Sequence, residues 1–509
     1  MATFFIQQFG CRATQADGAA LERQLLDGGC IPALDPASAA IVVFNTCTVT
    51  AAADAQARDA IRRVHAQNPD ARLVVTGCYA QRAPEELAAL PGVSWVVGNS
   101  HKPEIPGLVA ALSSDSIAAQ HPSSPDSDNQ FSGRRAPSFG DSRVSPSSSF
   151  VPAASLTPDT ALPFHSFLSD SAPTLPQARI LTGDIFARAE FLSAPVLGGE
   201  GHHTRPTLKI QDGCNLRCAY CVIPFVRGKS RSLPPDTVIR EINALTSPRS
   251  PHQAREIVLS GINLGAYGRD LRPRVELIDL LRRILDETTL DRLRLSSIEP
   301  QDVTQDLIDL FAGTDRLAEH FHMPLQSGSD RILAAMHRWY RTEHYARRVE
   351  LIRERLPHAA IGADVIAGFP GETEADHAAT LAFIERLPFT YLHVFSYSSR
   401  PGTQAASLPG HVPAQIIKRR ARQLRALGES KSSAFRRAQI GRTLRVLTLH
   451  RSANGDPVGL TPAIASNYLT FLVPGGDAHN HWLDVRVSSL DLAAANPEPK
   501  NEIARSAAG

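Results

Sequence analysis

The sequence predicts an α/β protein of three parts: an N-terminal parallel-sheet βα domain, a partial (βα) barrel, and a small C-terminal β-barrel. Three observations predict it. Short apolar runs alternate with helical stretches over residues 1–112. The same rhythm resumes over about 205–428. After residue 431 the pattern changes to short strands separated by Gly-Gly and Asn-Gly turns.

The first part opens with a strand at residues 3–9 and a helix at 14–26. A buried strand follows at 39–44, then a helix at about 51–66, a strand at 72–76, a helix near 83–90 and a short strand at 94–97. Continuous apolar strands alternating with helices imply a parallel sheet covered on both faces. Right-handed crossovers then place all the strand C-termini on one edge. From 113 to 178 Ser, Pro, Asp and Ala dominate. Such a composition buries too little surface to offset its ordering entropy and reads as a disordered insertion. Within the second part the clearest strands are 257–259, 292–295, 361–367 and 393–396, a length and rhythm that suit a partial or full βα barrel. Strands at 443–449, 468–473 and 483–487 make the last part. The expected boundaries are 1–112, 113–200 (insertion and linker), 201–430, 431–495 and a tail at 496–509.

The chain has 509 residues, 43% apolar and 20% charged, with a net charge of +2. It is no polycation, so a nucleic-acid partner needs a local basic patch. No apolar run reaches the roughly 18–20 residues that span a bilayer, and the N-terminus lacks a basic n-region and cleavage site. A cytoplasmic protein with no membrane partner is expected. Seven cysteines are too sparse for a disulfide framework, and in a reducing compartment their grouping suggests metal or catalysis.

Three of them form Cys214-Asn-Leu-Arg-Cys218-Ala-Tyr-Cys221, on the loop after a strand at 207–211. Three thiolates on one tight loop can hold three corners of an iron–sulfur cube and leave its fourth iron open to a small molecule. A zinc knuckle and an ordinary electron-transfer cluster are the competing readings. Structural zinc, however, takes four ligands, and no fourth cysteine follows. Cys11, Cys47 and Cys78 each lie one to three residues beyond an apolar run, in Phe9-Gly-Cys11, Phe44-Asn-Thr-Cys47 and Thr76-Gly-Cys78. In a parallel sheet these three thiols meet on the carboxyl edge, where open α/β sheets place ligands. They read as a second three-cysteine [4Fe–4S] site. Cys30, inside a helical apolar pattern, reads as an inert core thiol.

The Cys-x3-Cys-x2-Cys loop resembles that of the radical S-adenosylmethionine (SAM) superfamily. The resemblance implies SAM bound at the open iron of the Cys214, Cys218 and Cys221 cluster and cleaved to a 5′-deoxyadenosyl radical. It also implies adenine against Tyr220, and SAM contacts from Gly261 and Asn263 in Leu259-Ser-Gly-Ile-Asn-Leu-Gly265. Ser297 and Glu299 in Leu295-Ser-Ser-Ile-Glu-Pro300, and the segment Asp364-Val-Ile-Ala-Gly-Phe-Pro-Gly-Glu372, are implied in the same way. His322-Met-Pro-Leu-Gln-Ser-Gly328 is a further strand-end loop at the same mouth.

Two three-cysteine sites, the preceding βα domain and the trailing β-barrel together resemble the methylthiotransferase family. That implies two [4Fe–4S] clusters, two uses of SAM, and insertion of a CH3–S group into a C–H bond. Asn45-Thr-Cys-Thr-Val-Thr-Ala-Ala-Ala-Asp54, Gly77-Cys-Tyr-Ala-Gln81 and Ser260-Gly-Ile-Asn-Leu-Gly-Ala-Tyr-Gly268 look most like the MtaB branch. Its members modify C2 of N6-threonylcarbamoyladenosine at position 37 in the anticodon loop of tRNA. One departure is Ala13-Thr14, where the branch tends to carry Val-Asn. Isopentenyladenosine 37 and a ribosomal-protein aspartate are the alternative substrates. From Lys418 to Arg451 there are eleven Lys/Arg and one acid, Glu429, a run suited to phosphate. Arg436, Arg437, Arg442 and Arg445 are its RNA-binding candidates, leading into a barrel that resembles the RNA-binding TRAM domain. A monomer served by an electron donor such as flavodoxin or ferredoxin completes the expectation.

Overall fold

The computed structural model describes residues 2–118, 178–187, 192, 194–196, 204–450, 459–474 and 479–488. Most of the Ser/Pro-rich stretch lies outside the described residues. Residues 2–113 share one compact unit with the described residues from 178 onward. No helix among the described residues is long and apolar enough to cross a membrane.

The N-terminal elements are β1 (Thr3–Gln8), α1 (Arg12–Asp27), β2 (Ile31–Pro32), β3 (Ile41–Thr46), α2 (Ala51–Gln67), β4 (Arg72–Gly77), α3 (Cys78–Arg82), α4 (Pro84–Ala88), β5 (Val93–Gly98), α5 (Ile105–Ala118) and β6 (Arg179–Leu181). Every strand pair is parallel, in the order β2-β1-β3-β4-β5-β6. All six residues of β3 are buried, because both faces of the sheet are covered. Val42, Phe44, Leu73 and Val75 face Ala57, Ile61 and Val64 of α2. Ile41, Val43 and Val74 face Leu21 and Leu25 of α1 and Ile105 and Val109 of α5. Cys30, partly buried, packs against this second core, in keeping with a structural thiol. Two boundaries differ from the sequence reading. The helix α5 continues to Ala118, past the compositional break at 113, and β6, inside the expected linker, pairs with β5 to complete the sheet.

The middle of the chain comprises β7 (Thr207–Asp212), α6 (Ile223–Arg227), β8 (Arg231–Ser232), α7 (Pro235–Thr246), β9 (Glu256–Gly261), α8 (Leu277–Glu287), β10 (Arg292–Leu295), α9 (Gln305–Ala312), β11 (His320–His322), α10 (Asp330–Ala335), α11 (Thr342–Arg355), β12 (Ala360–Ala367), α12 (Glu374–Arg386), β13 (Tyr391–Ser396) and α13 (Ala414–Arg437). Parallel bridges Leu293–Leu317 and Ser297–His322 join the sheet ending in β10 to the one beginning with β11. The strands therefore run β7-β9-β10-β11-β12-β13, all parallel, with β8 antiparallel on β7: a partial barrel. Its helices bury one stripe each. In α8, for example, Leu277, Leu280, Leu281 and Ile284 recur at helical spacing.

The C-terminal strands β14 (Thr443–Thr448), β15 (Leu460–Ala465), β16 (Thr470–Pro474) and β17 (Trp482–Arg486) form an antiparallel sheet ordered β16-β15-β14-β17. A small core of Val446, Ala463, Ala465, Phe471, Val473 and Val487 lies against it. The sequence reading missed β15, whose Pro462 and two alanines give it a weak strand pattern.

Buried charge joins these parts. Asp17 of α1 accepts from Lys102 Nζ at 3.0 Å, from Arg227 Nη2 at 3.0 Å, and from Lys209 of β7. Arg227 and Lys209 also reach Asp212 at 2.9 and 3.2 Å. All five side chains belong to residues no more than 3% exposed. Burial pushes the two carboxyls up, but Arg227, Lys102 and Lys209 around Asp17, and Lys209, Arg227 and Arg231 around Asp212, hold both well below the usual range. A second cluster surrounds Glu256 on β9, with Arg294 Nε at 2.7 Å and Arg205 Nη1 at 3.1 Å. Arg292 and Arg294 also donate to the carbonyls of Ile464 and Ala465, both at 3.0 Å, fastening the C-terminal sheet to the barrel.

Asp17→Ala leaves Lys102 without a carboxylate and Lys209 and Arg227 with Asp212 alone, so a loss of about 3–5 kcal/mol in unfolding free energy is expected, read from urea denaturation followed by circular dichroism. A loss under about 1 kcal/mol would mean the cations find other partners. Since both carboxyls are depressed in the folded state, their contribution is complete above their ordinary value of 3.8 and fades as pH falls below it.

Candidate functional site: two cysteine triads and the barrel lumen

The parallel sheet puts the ends of β1, β3 and β4 on one edge, and the first triad stands there. Cys11 is the N-cap of α1, Cys47 follows Thr46 directly, and Cys78 opens α3 rather than lying on a loop. Two glycines make room. Gly10 has φ +92°, and a Cβ there would lie 2.4 Å from Cys47 Cβ. Gly77 has φ +101°, and its Cβ would lie 2.2 Å from the Thr46 carbonyl oxygen. Asn99 Nδ2 donates to Cys78 Sγ at 3.5 Å and to the Val226 carbonyl at 2.8 Å. Burial, then the neighbouring Cys11 and Cys78, pushes the Cys47 thiol up to about 12, and Arg227 pulls it back. Arg227 is itself held above its ordinary value, against its burial, by Asp17, Cys78, Asp212 and Cys11. The buried cation thus faces the thiols as well as the carboxylates. The loop beyond Cys47 is pinned as well: Asp54 takes Arg82 Nη2 at 3.0 Å and Arg400, and both arginines reach Thr48 Oγ1 at 2.8 Å.

The second triad occupies the loop after β7. Cys214 N donates to the Gly228 carbonyl and Cys221 N to the Cys218 carbonyl, each at 3.0 Å. Ala219 ties the loop to Met336 and Ala405 through its backbone at 3.0 and 2.8 Å. Burial, then Cys218, pushes the Cys221 thiol up to about 12. Arg338 Nη1 donates to Cys218 Sγ at 3.3 Å while Nη2 holds Glu299. The Asn263 side chain stands beside Cys214 and draws its thiol down, and its backbone N–H donates to Gln211 Oε1 at 2.7 Å. Asn263 Oδ1 is buried without a partner. Gly261 is the last residue of β9, two before Asn263. Tyr220 packs beside Phe369 and Met336, and Ser297 Oγ lies 2.7 Å from His322 Nδ1. The structure therefore gathers Cys214, Cys218, Asn263 and Glu299, and directs Ser297 toward the lumen.

All six cysteines are free. A single tetrahedral ion with metal–sulfur bonds of about 2.3 Å needs thiolates about 3.8 Å apart. Among the described residues the one group of three such ligand atoms within 4.8 Å of one another is His322, Asp364 and His393, so neither triad closes on one ion. Three thiolates set wider, with glycine-cleared space at the first site and an orphaned polar atom at the second, fit a four-iron cluster at each.

Below the Cys214–Cys221 loop, the barrel lumen carries polar side chains that sequence reasoning mostly missed. Asp364 Oδ1 lies 3.2 Å from His322 Nε2 and 3.4 Å from His393 Nδ1. Tyr391 Oη lies 2.7 Å from His320 Nε2, and the His320 ring stacks on Tyr468 of the C-terminal part at 4.3 Å. Tyr391 and His393 are two apart on β13, the period of one strand face, which was the available clue.

The basic run divides. Arg437 and Arg445 are exposed, and Arg445 lies over the Trp482 ring at 4.6 Å. Arg436 is partly buried, and Arg442 donates to Gln439 Oε1 at 2.5 Å. Lys418, Arg422 and Arg425 line a groove of about 400 Å³ with Ser396 and Glu429. Arg420 corrects the sequence reading. It is 3% exposed and bound to Glu372 at 2.8 Å and Glu374 at 3.0 Å, so it is spent inside the fold.

Residues 3–98 match the family model described as uncharacterized protein family UPF0004, and residues 208–384 match the radical SAM superfamily. The chain is 33% identical to threonylcarbamoyladenosine tRNA methylthiotransferase MtaB of Aquifex aeolicus, over 88% of this chain and 92% of that one. It is 32% identical to tRNA-2-methylthio-N(6)-dimethylallyladenosine synthase of Syntrophobacter fumaroxidans, over 90% and 87%. The MtaB protein of Bacillus subtilis is 30% identical over 93% and 91%. The fold is similar to that of the radical S-adenosylmethionine methyltransferase TsrM from Kitasatospora setae, with a TM-score of 0.50 and 17% identity over 80% of this chain and 74% of that one. The chain belongs to the radical SAM methylthiotransferase family.

With two four-iron clusters, about eight irons per chain are expected. Cys47→Ala and Cys214→Ala should each reduce that to about four, measured by iron analysis after anaerobic reconstitution. A variant that keeps all eight would remove its cysteine from the ligand set.

Proposed function

We propose that this radical SAM methylthiotransferase acts on tRNA, replacing the C2 hydrogen of N6-threonylcarbamoyladenosine 37 by a methylthio group. The observation that carries the reading is the placement of two open three-thiol sites in one rigidly pinned body, one on the sheet edge and one on the barrel mouth. When bound, SAM and the clusters supply one electron and a hydrogen-abstracting radical at the barrel site and a methylated sulfur at the sheet site.

The chain's own residues hold and shield. Cys214, Cys218 and Cys221 leave one iron position free, and Asn263, Glu299 and Arg338 crowd its rim with polar groups suited to the amino-acid end of SAM. Gly261, two residues before Asn263, belongs to the same amino-acid end, and Tyr220 and Ser297 stand around the mouth for the adenosine end. Cys11 is the exposed member of its triad, so the sheet site opens on the Cys11 side while Cys47 and Cys78 are covered. The exposed Arg437 and Arg445 suit the phosphates flanking an anticodon loop, whose splayed bases a pocket can accept. The partly buried Arg436 and Arg442 sit beside them. The motifs around Cys47, Cys78 and Gly261 support the threonylcarbamoyl substrate, and an external reductant such as flavodoxin or ferredoxin supplies the electron.

Nucleoside mass spectrometry of tRNA from cells with and without the gene tests the substrate. Loss of 2-methylthio-N6-threonylcarbamoyladenosine with accumulation of its precursor is expected. An unchanged level would turn attention to isopentenyladenosine and to ribosomal-protein aspartate. In purified enzyme, Cys214→Ala should abolish SAM cleavage. Cys47→Ala should retain SAM cleavage and lose sulfur insertion, and loss of both would mean the two sites do not act separately. Arg437→Ala and Arg445→Ala should each weaken tRNA binding evenly across sequences and lower the log–log salt slope by about 1.

A further inference from the structure

Arg12 is the first residue of α1, immediately beyond Cys11, and is partly buried. The largest charge effects on its guanidinium come from Tyr468, Arg205, Arg294 and Tyr391, none of them a carboxylate, which sets it close to the lower lumen. Five arginines around it have acids. Arg205 and Arg294 share Glu256. Arg227 holds Asp17 and Asp212, Arg338 holds Glu299, and Arg400 holds Asp54. Asp364, the lumen's own acid, lies between His322 and His393. Arg12 alone among these has no ion pair within 4.0 Å and no hydrogen bond to any described residue. A desolvated cation without a counter-charge is unfavourable, and an anionic ligand is the natural complement.

The position fixes which part of a ligand would lie there. A purine whose C2 is brought to the Cys11, Cys47 and Cys78 site carries its N6 substituent on the same ring, one nitrogen away from C2. That substituent would point into the adjoining lumen, where the paired Tyr391 and Tyr468 rings, with centroids 5.8 Å apart, form a wall. A threonylcarbamoyl group ends in a free carboxylate, whereas a dimethylallyl group is hydrocarbon. A planar guanidinium takes a carboxylate bidentately.

We infer that Arg12 is the specificity-determining residue for the N6 substituent, binding its carboxylate in the lumen beside the sheet-edge cysteine site; the inference rests on the substrate reading above. Arg12 discriminates because a neutral substituent leaves its charge unpaired, the condition under which polar sites reject analogues most strongly.

The experiment compares reconstituted full-length enzyme on three anticodon stem-loops, carrying at position 37 threonylcarbamoyladenosine, its methyl ester, or dimethylallyladenosine. The wild type should favour the free acid over the ester by about 10- to 100-fold in kcat/KM, mainly through KM. Arg12→Gln should bring the acid down to the level of the ester, and Arg12→Lys should restore part of the preference, with iron content reporting that both clusters are present. Equal use of acid and ester by the wild type overturns the role of Arg12 and leaves the substrate reading standing. Conversion of the dimethylallyl loop, with the threonylcarbamoyl loop untouched, overturns the substrate reading and the inference with it.

Discussion

Asp17 is the point on which the architecture turns. A carboxylate buried among Lys102, Lys209 and Arg227 ties the helix behind the sheet-edge cysteines to the first strand of the barrel and the helix after the Cys214–Cys221 loop. None of these charges tolerates burial alone, so each requires the others in place. The separation between the two cysteine triads is thereby set by a closed network of short contacts. The network also carries more positive than negative charge: Lys102, Lys209, Arg227 and Arg231 surround Asp17 and Asp212. The surplus faces Cys78 and Cys11, where thiolates are needed.

The C-terminal sheet is equally integral. Glu256 organises Arg292 and Arg294, whose remaining donors are used on carbonyls of the turn after β15 and at its end. Through that turn Tyr468 reaches the lumen and stacks on His320. The C-terminal module thus also walls the chamber beneath the Cys214–Cys221 loop.

What the sequence made legible follows from how local each determinant is. The Cys214–Cys221 loop is readable because its spacing lies within eight residues. The sheet-edge triad is readable because parallel strands send all their C-termini one way, so strand-end cysteines converge whatever the details of packing. The barrel rhythm was equally plain. By contrast, the partners of Asp17, Glu256 and Asp54 lie up to about 350 residues away, and nothing near those acids in the chain marks them as buried. Arg420 looked like one more phosphate-binding cation for the same reason: Glu372 and Glu374, which hold it, are 48 and 46 residues distant. Strands β6 and β15 were hidden by composition, one by its Ser/Pro-rich surroundings and the other by its proline.

The contrast between the two triads reaches beyond catalysis to how the protein matures. Cys214, Cys218 and Cys221 are held together by a loop so short that closing it costs little chain entropy, even before the barrel has formed. Cys11, Cys47 and Cys78 meet only after three strands have found their parallel register, with successive cysteines 36 and 31 positions apart. Iron offered to a newly made chain would therefore meet a usable thiol trio on the loop early, whereas the sheet-edge trio comes together only once the first domain is folded. A cluster bound at the sheet edge would then double as a report that folding is complete, since metal binding and folding would be linked there.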